Sequence, residues 1–159
     1  PILGRSLDAT RQLASRARRR VRGREAPEVD RGRHRAVVEA FLAASRAGDF
    51  AALIAVLDPE VVFRADAAAI AMAAARPTPG APILAPEIRG PEPVARSFAG
   101  RARAAEPALI DGMPGLVWAP GGTIRAAFRF TSDGSRVTAI DLVVEPAALA
   151  TLAIAVAGD

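Results

Sequence analysis

Cysteine, tyrosine and lysine are absent from this chain of 159 residues, and histidine occurs once, as His34. Without cysteine there is no disulfide, no thiolate metal site and no thiol nucleophile. One histidine argues against a zinc site or a His-based catalytic triad. The missing tyrosine excludes a phenolic proton donor. Aromatic residues are few, six Phe and Trp118, so they are expected in the core rather than in a ligand cage. No apolar run approaches the roughly 20 residues of a membrane span, because charge or proline interrupts each one. Nor does an apolar leader follow the first residues, which give way to arginines. The chain begins Pro1-Ile2-Leu3, without an initiator Met, and is expected to be a piece of a longer protein.

What is present is enough apolar material for a core, 51% of residues, with 24% charged residues to keep it in solution. All 21 basic residues are arginine, which together with abundant Ala, Gly and Pro reflects genome composition rather than chemistry. Their placement is informative. Residues 1–35 hold 11 arginines against Asp8, Glu25, Glu28 and Asp30, a net +7, whereas residues 36–159 hold 10 against 13 acids, a net −3. A basic arm is joined to a mildly acidic body, and an anionic partner would feel the arm.

Ser6 is a candidate N-cap, followed by Asp8 in a first helical turn and an uninterrupted stretch to Arg22. Leu13, Ala17 and Val21 make a narrow apolar stripe, and Gly23 supplies a stop. The Pro27- and Gly32-containing segment that follows reads as a linker. A helix is then predicted from about His34 to Ala47, buried through Val37, Val38, Phe41 and Leu42, with His34 solvated at its start. Gly48 closes it and Asp49 caps a short helix carrying Phe50, Leu53, Ile54 and Leu57. Asp58-Pro59 is expected to turn into a strand over Val61–Asp66. The small apolar stretch Ala67–Ala75 fits strand, helix or flap, and the prolines after it make a loop with short extended pieces. A helix over Pro91–Ala105 is followed by strands at Ala108–Asp111, Leu116–Ala119, Ile124–Thr131 and Arg136–Val144. Ile124, Ala126, Phe128 and Phe130 are expected on one sheet face. A terminal helix after Pro146 would carry Leu149, Leu152 and Val156. Helices first, then a run of strands, indicates an α+β fold with a curved antiparallel sheet.

Two stretches carry a family resemblance. The run Ser6-Leu7-Asp8-Ala9-Thr10-Arg11-Gln12-Leu13-Ala14-Ser15-Arg16-Ala17-Arg18-Arg19-Arg20-Val21-Arg22 resembles the recognition helix of sigma region 4. From His34 onward, the pieces Val38–Phe50, Leu57–Asp66, Asp111–Val117 and Ile140–Val144 resemble the SnoaL-like extension of sigma-J-type extracytoplasmic-function sigma factors. Their order in one chain is more specific than either alone. Two family motifs are degenerate. A D-G-G-G-K motif is replaced by Asp66-Ala67-Ala68-Ala69-Ile70, and an N-P-D-K-L motif by Glu145-Pro146-Ala147-Ala148-Leu149.

The resemblance implies three parts: residues 1–23 as the end of a helix-turn-helix, 24–33 as a linker, and 34–159 as a cone-shaped SnoaL-like domain of the nuclear-transport-factor-2-like fold. It implies a non-enzymatic, cytoplasmic bacterial transcription factor, with promoter DNA and core RNA polymerase as partners of the full-length protein, no cofactor and no membrane. Arg11, Gln12, Ser15, Arg16 and Arg19 are the candidate DNA-binding face, since Arg reads guanine and Gln adenine in the major groove. The bland alternative is a solvated basic helix. Phe63, Arg64, Asp66, Trp118 and Asp141 are candidates for a polar-tipped apolar cavity that could take a small-molecule ligand. Asp141 could be a buried base of raised pKa, but an outward carboxylate paired with an arginine is the simpler reading. The open sheet face is a candidate for homodimer pairing. The rival to the sigma-factor reading is a stand-alone cyclase, isomerase or ligand-binding cone.

Overall fold

The computed structural model describes residues 27–76, 83–101 and 103–156. The chain divides between Arg33 and His34 into two units; the second, which holds the whole sheet, is described below.

Helix α1 spans Pro27–Ala47, beginning seven residues before the predicted start. The expected linker is therefore helical from Pro27 on. Proline at a first helical position fits the fixed φ and forfeits no intrahelical hydrogen bond, and one interior glycine, Gly32, costs only about 1 kcal/mol. His34, Val37, Val38, Phe41, Leu42 and Ser45 are all buried and recur at the three-and-four spacing of one helix face. Gly48, at φ +68°, ends the helix, and its N–H returns to the Ser45 carbonyl. Asp49 caps α2 (Phe50–Val56) by accepting from the Ala52 N–H at 3.0 Å.

Strand β1 runs Leu57–Ala65. The expected Asp58-Pro59 turn is instead an irregularity within it, where the register with its neighbour shifts between Leu57 and Val62. Helix α3 (Ala67–Ala75) settles the ambiguous alanine stretch. Its N-cap is Asp66, whose carboxylate accepts from Ala69 N–H at 2.8 Å, Val144 N–H at 2.8 Å and Glu145 N–H at 3.0 Å. Burial pushes this carboxyl's pKa up, but the three N–H donors outweigh it and hold the pKa below the ordinary value.

After β2 (Glu87–Arg89), α4 covers only Pro91–Phe98 rather than reaching Ala105. Gly100, at φ +73°, breaks away and donates to the Ser45 carbonyl at 2.7 Å. Strands β3 (Ala105–Ile110), β4 (Met113–Trp118), β5 (Ala126–Ser132) and β6 (Val137–Val143) follow. The β3–β4 hairpin turns on Asp111 and Gly112, both with positive φ, the conformation that an Asp-Gly pair favours. The predicted terminal helix is only α5 (Pro146–Ala150), and the chain then pairs with β3 as β7 (Ile154–Val156). Val156 is therefore a strand residue: the free edge of β3 offered backbone hydrogen bonds that a longer helix would have left unmade.

The seven strands lie in the order β2-β1-β6-β5-β4-β3-β7. All neighbours are antiparallel except β1 and β6, which are parallel. On the helix-covered face Phe41 meets Phe98 and Phe130 edge-on at centroid distances of 5.0 and 5.1 Å, and Phe63 meets Phe98 at 4.8 Å. The opposite face has its own small cluster of Ala108, Ile110, Val117 and Ala127, covered by Leu149, Leu152 and β7. Ile124, expected beside Phe128, precedes β5 and joins that outer cluster instead.

His34 is buried rather than solvated. Its Nε2 donates to the Pro114 carbonyl at 2.9 Å, and its Nδ1 lies 2.8 Å from Ser132 Oγ. A carbonyl can only accept, so Nε2 carries the hydrogen of the neutral ring and Nδ1 accepts from the serine. The imidazole thus ties α1 to the ends of β4 and β5. Burial lowers its pKa, with the Pro114 hydrogen bond opposing. The folded state holds this proton less tightly than the unfolded chain. Its contribution to stability is full above the unfolded value, about 6.5, and is lost as pH falls through the folded value. Thermal melts should therefore show Tm declining from about pH 7.5 to pH 5, and His34→Gln should flatten that decline. An unchanged slope in the variant would remove His34 from this role.

Gly115 marks a second tight contact. A Cβ there would lie 2.8 Å from the Phe128 carbonyl oxygen and 2.9 Å from Ile110 Cδ1. Gly115→Ala should destabilise the domain by about 1–3 kcal/mol in urea unfolding, the usual cost of overpacking.

Candidate functional site

The proposed DNA-contacting residues Arg11, Gln12, Ser15, Arg16 and Arg19 lie outside the described residues. The body carries a different feature, a cavity of about 430 Å³ between the sheet and its covering helices. The strands contribute Phe63, Leu116, Trp118, Ala126, Phe128 and Leu142. Ser97, Phe98 and Arg101 come from α4 and the turn after it, while Met72 on α3 and Leu84 flank the space.

The cavity exists because Phe98 supports one side while small residues leave room on the other. Ala105 and Ala126, both buried, sit where larger side chains would fill the space. Among the described lining residues no carboxylate, histidine or tyrosine occurs. The polar groups are the Ser97 hydroxyl, which donates to the Pro93 carbonyl at 3.0 Å, the indole N–H of Trp118 and the guanidinium of Arg101. General acid–base work needs a titratable pair converging on a reacting atom, and this lining holds none.

Of the five sequence-proposed cavity residues, Phe63 and Trp118 line the space. Arg64, Asp66 and Asp141 are not among its lining residues. Asp66 is engaged in capping α3 and in holding the end of β6. Arg64 and Asp141 are register partners on β1 and β6, joined at 3.0 Å on the outer face, with side chains 52% and 37% exposed. This is the outward, arginine-paired reading of Asp141. Arg129 is its register partner on the other side and reaches Asp111 at 3.6 Å. Such exposed pairs contribute little to stability, about 0–1 kcal/mol each. Residues that sequence reasoning missed are Ser97, Arg101, Leu116, Phe128 and Leu142. Strand alternation placed Phe128 with Ala126 on a shared face, but nothing local said which face enclosed a space.

Among the described residues no cluster of His, Asp or Glu could hold a metal ion, and no helix is long and apolar enough to cross a membrane.

No protein-family profile matches the chain. It is 27% identical over 148 residues to the probable ECF RNA polymerase sigma factor SigI of Mycobacterium tuberculosis, a match covering 92% of this chain and 47% of that protein. The crystal structure of the extracytoplasmic-function sigma factor SigJ of Mycobacterium tuberculosis superposes with a TM-score of 0.54 at 28% identity, covering 91% of this chain and 51% of SigJ. An NTF2-like protein of unknown function from Cytophaga hutchinsonii is more distant, at 14% identity and a TM-score of 0.40 over 71% of this chain and 90% of its own. The chain spans about half the length of the sigma factors it matches. Matched along nine-tenths of its length in sequence and in structure, this α+β chain is a homologue of the extracytoplasmic-function sigma factors SigI and SigJ.

Proposed function

We propose that this chain is the C-terminal part of an alternative sigma factor, in which residues 7–22 are the helix that reads the −35 promoter element and the SnoaL-like body regulates initiation. The observation that carries this reading is the homology to two sigma factors across both the basic arm and the body. It is supported by the +7 charge of residues 1–35 against the −3 of the remainder. A promoter-reading surface needs such a concentration, because arginine contacts to phosphates supply most of the affinity and base edges the specificity. In the full-length protein the partners are promoter DNA and core RNA polymerase, and the place of action is the cytoplasm. The body acts through contacts with other sigma regions or with the polymerase rather than by turnover, a reading supported by a cavity whose described lining residues include no acid–base pair. That same lining weighs against the stand-alone cyclase or isomerase reading.

In this piece, which spans about half the length of its sigma-factor relatives, DNA binding should be weak and governed by salt. Fluorescence anisotropy with a labelled duplex should show affinity falling about a hundredfold between 50 and 200 mM salt, as expected for roughly four phosphate contacts. Arg16→Ala with Arg19→Ala should reduce the log–log slope by about 2. Residues 34–159 tested alone should not bind. Tight, salt-independent binding, or equal binding by the body alone, would contradict the proposal.

A further inference from the structure

Nothing in the transcriptional reading uses the cavity, and its construction is that of a binding site. Its volume of about 430 Å³ lies within the range of small-molecule pockets, which pair a mostly apolar lining with a few placed polar groups. Here Phe63, Phe98 and Leu116 are buried and form an apolar wall with Phe128. Trp118 is half-buried and lines both this space and the depression beside it. The exposed Arg101 shares the lining with Trp118. An adjoining depression, sharing Trp118, Ala104 and Ala105, is lined by Arg46 and Arg103 against the single acid Glu106. Positive charge therefore gathers at the tryptophan end of an otherwise apolar space. Each guanidinium has five N–H donors, so an arginine that is already engaged can serve a further acceptor.

We propose that this cavity binds a small apolar acid, its hydrocarbon body among Phe63, Phe98, Leu116 and Phe128 and its carboxylate at the end marked by Trp118 and Arg101. The proposal is independent of the sigma-factor assignment, since it rests on the body alone.

The sequence provides the reporter. Trp118 is the one tryptophan and there is no tyrosine, so long-wavelength protein emission comes from the rim of the cavity. Titrating the 159-residue chain with octanoate should change Trp118 emission saturably. Octan-1-ol, the neutral match, should bind about tenfold more weakly, the equivalent of one charge-assisted hydrogen bond. Arg101→Gln should bring octanoate to the affinity of the alcohol and leave the alcohol unchanged. Ala126→Leu, with its fold checked by circular dichroism, should weaken both by filling the space. The proposal is overturned by non-saturable emission changes, by equal affinity of acid and alcohol, or by an Arg101→Gln variant that keeps the preference for the acid.

Discussion

The domain depends on one packing event, the meeting of Phe41 from α1 and Phe98 from α4 above the sheet. Phe41 also contacts Phe130 on β5, while Phe98 contacts Phe63 on β1 and Phe128 on β5. Two helices far apart in sequence are thereby fixed to strands on both sides of β6. Burying rings of this size contributes about 1.5–3 kcal/mol each, and the edge-on geometry adds about 0.5–1.5 kcal/mol per pair. With α4 held at one end of the sheet, the space between Phe98, Trp118 and Leu142 is left open as a cavity.

Polar groups then hold the periphery in register. His34 bridges α1 to the strand ends through Pro114 and Ser132. Asp66 joins the start of α3 to the start of α5 by accepting three backbone N–H groups, and Asp111 anchors β7 by accepting from the Ala153 N–H at 2.9 Å. These side chains satisfy backbone donors that irregular connections would otherwise bury unpaired. Asp66 and Glu145 occupy the two degenerate motifs, and both act as helix caps. The motif remnants thus have a local structural use, whatever contacts the intact motifs make in relatives.

The two ends of the chain divide the chemistry. The amino-terminal arm holds the charge that suits a polyanion, and the body holds an apolar space with arginine at its rim. In the proposed reading the module works through binding free energies, and its regulation is a matter of which contacts a partner or ligand favours.

Much of this was legible residue by residue. The apolar face of α1 followed from the spacing of Val37, Val38, Phe41 and Leu42, and the α2 cap from Asp49. The charge asymmetry between arm and body is likewise a property of the sequence alone. Periodicity and capping act over a few residues, so they can be read along the chain. Tertiary structure alone decided that His34 is buried, which arginine pairs with the outward Asp141, that residues 154–156 become an edge strand and which of the candidate residues border the cavity. The first three depend on partners about 40 to 100 residues away in sequence, the cavity on residues drawn from Phe63 to Leu142, and burial or pairing at such range is set by packing rather than by local preference.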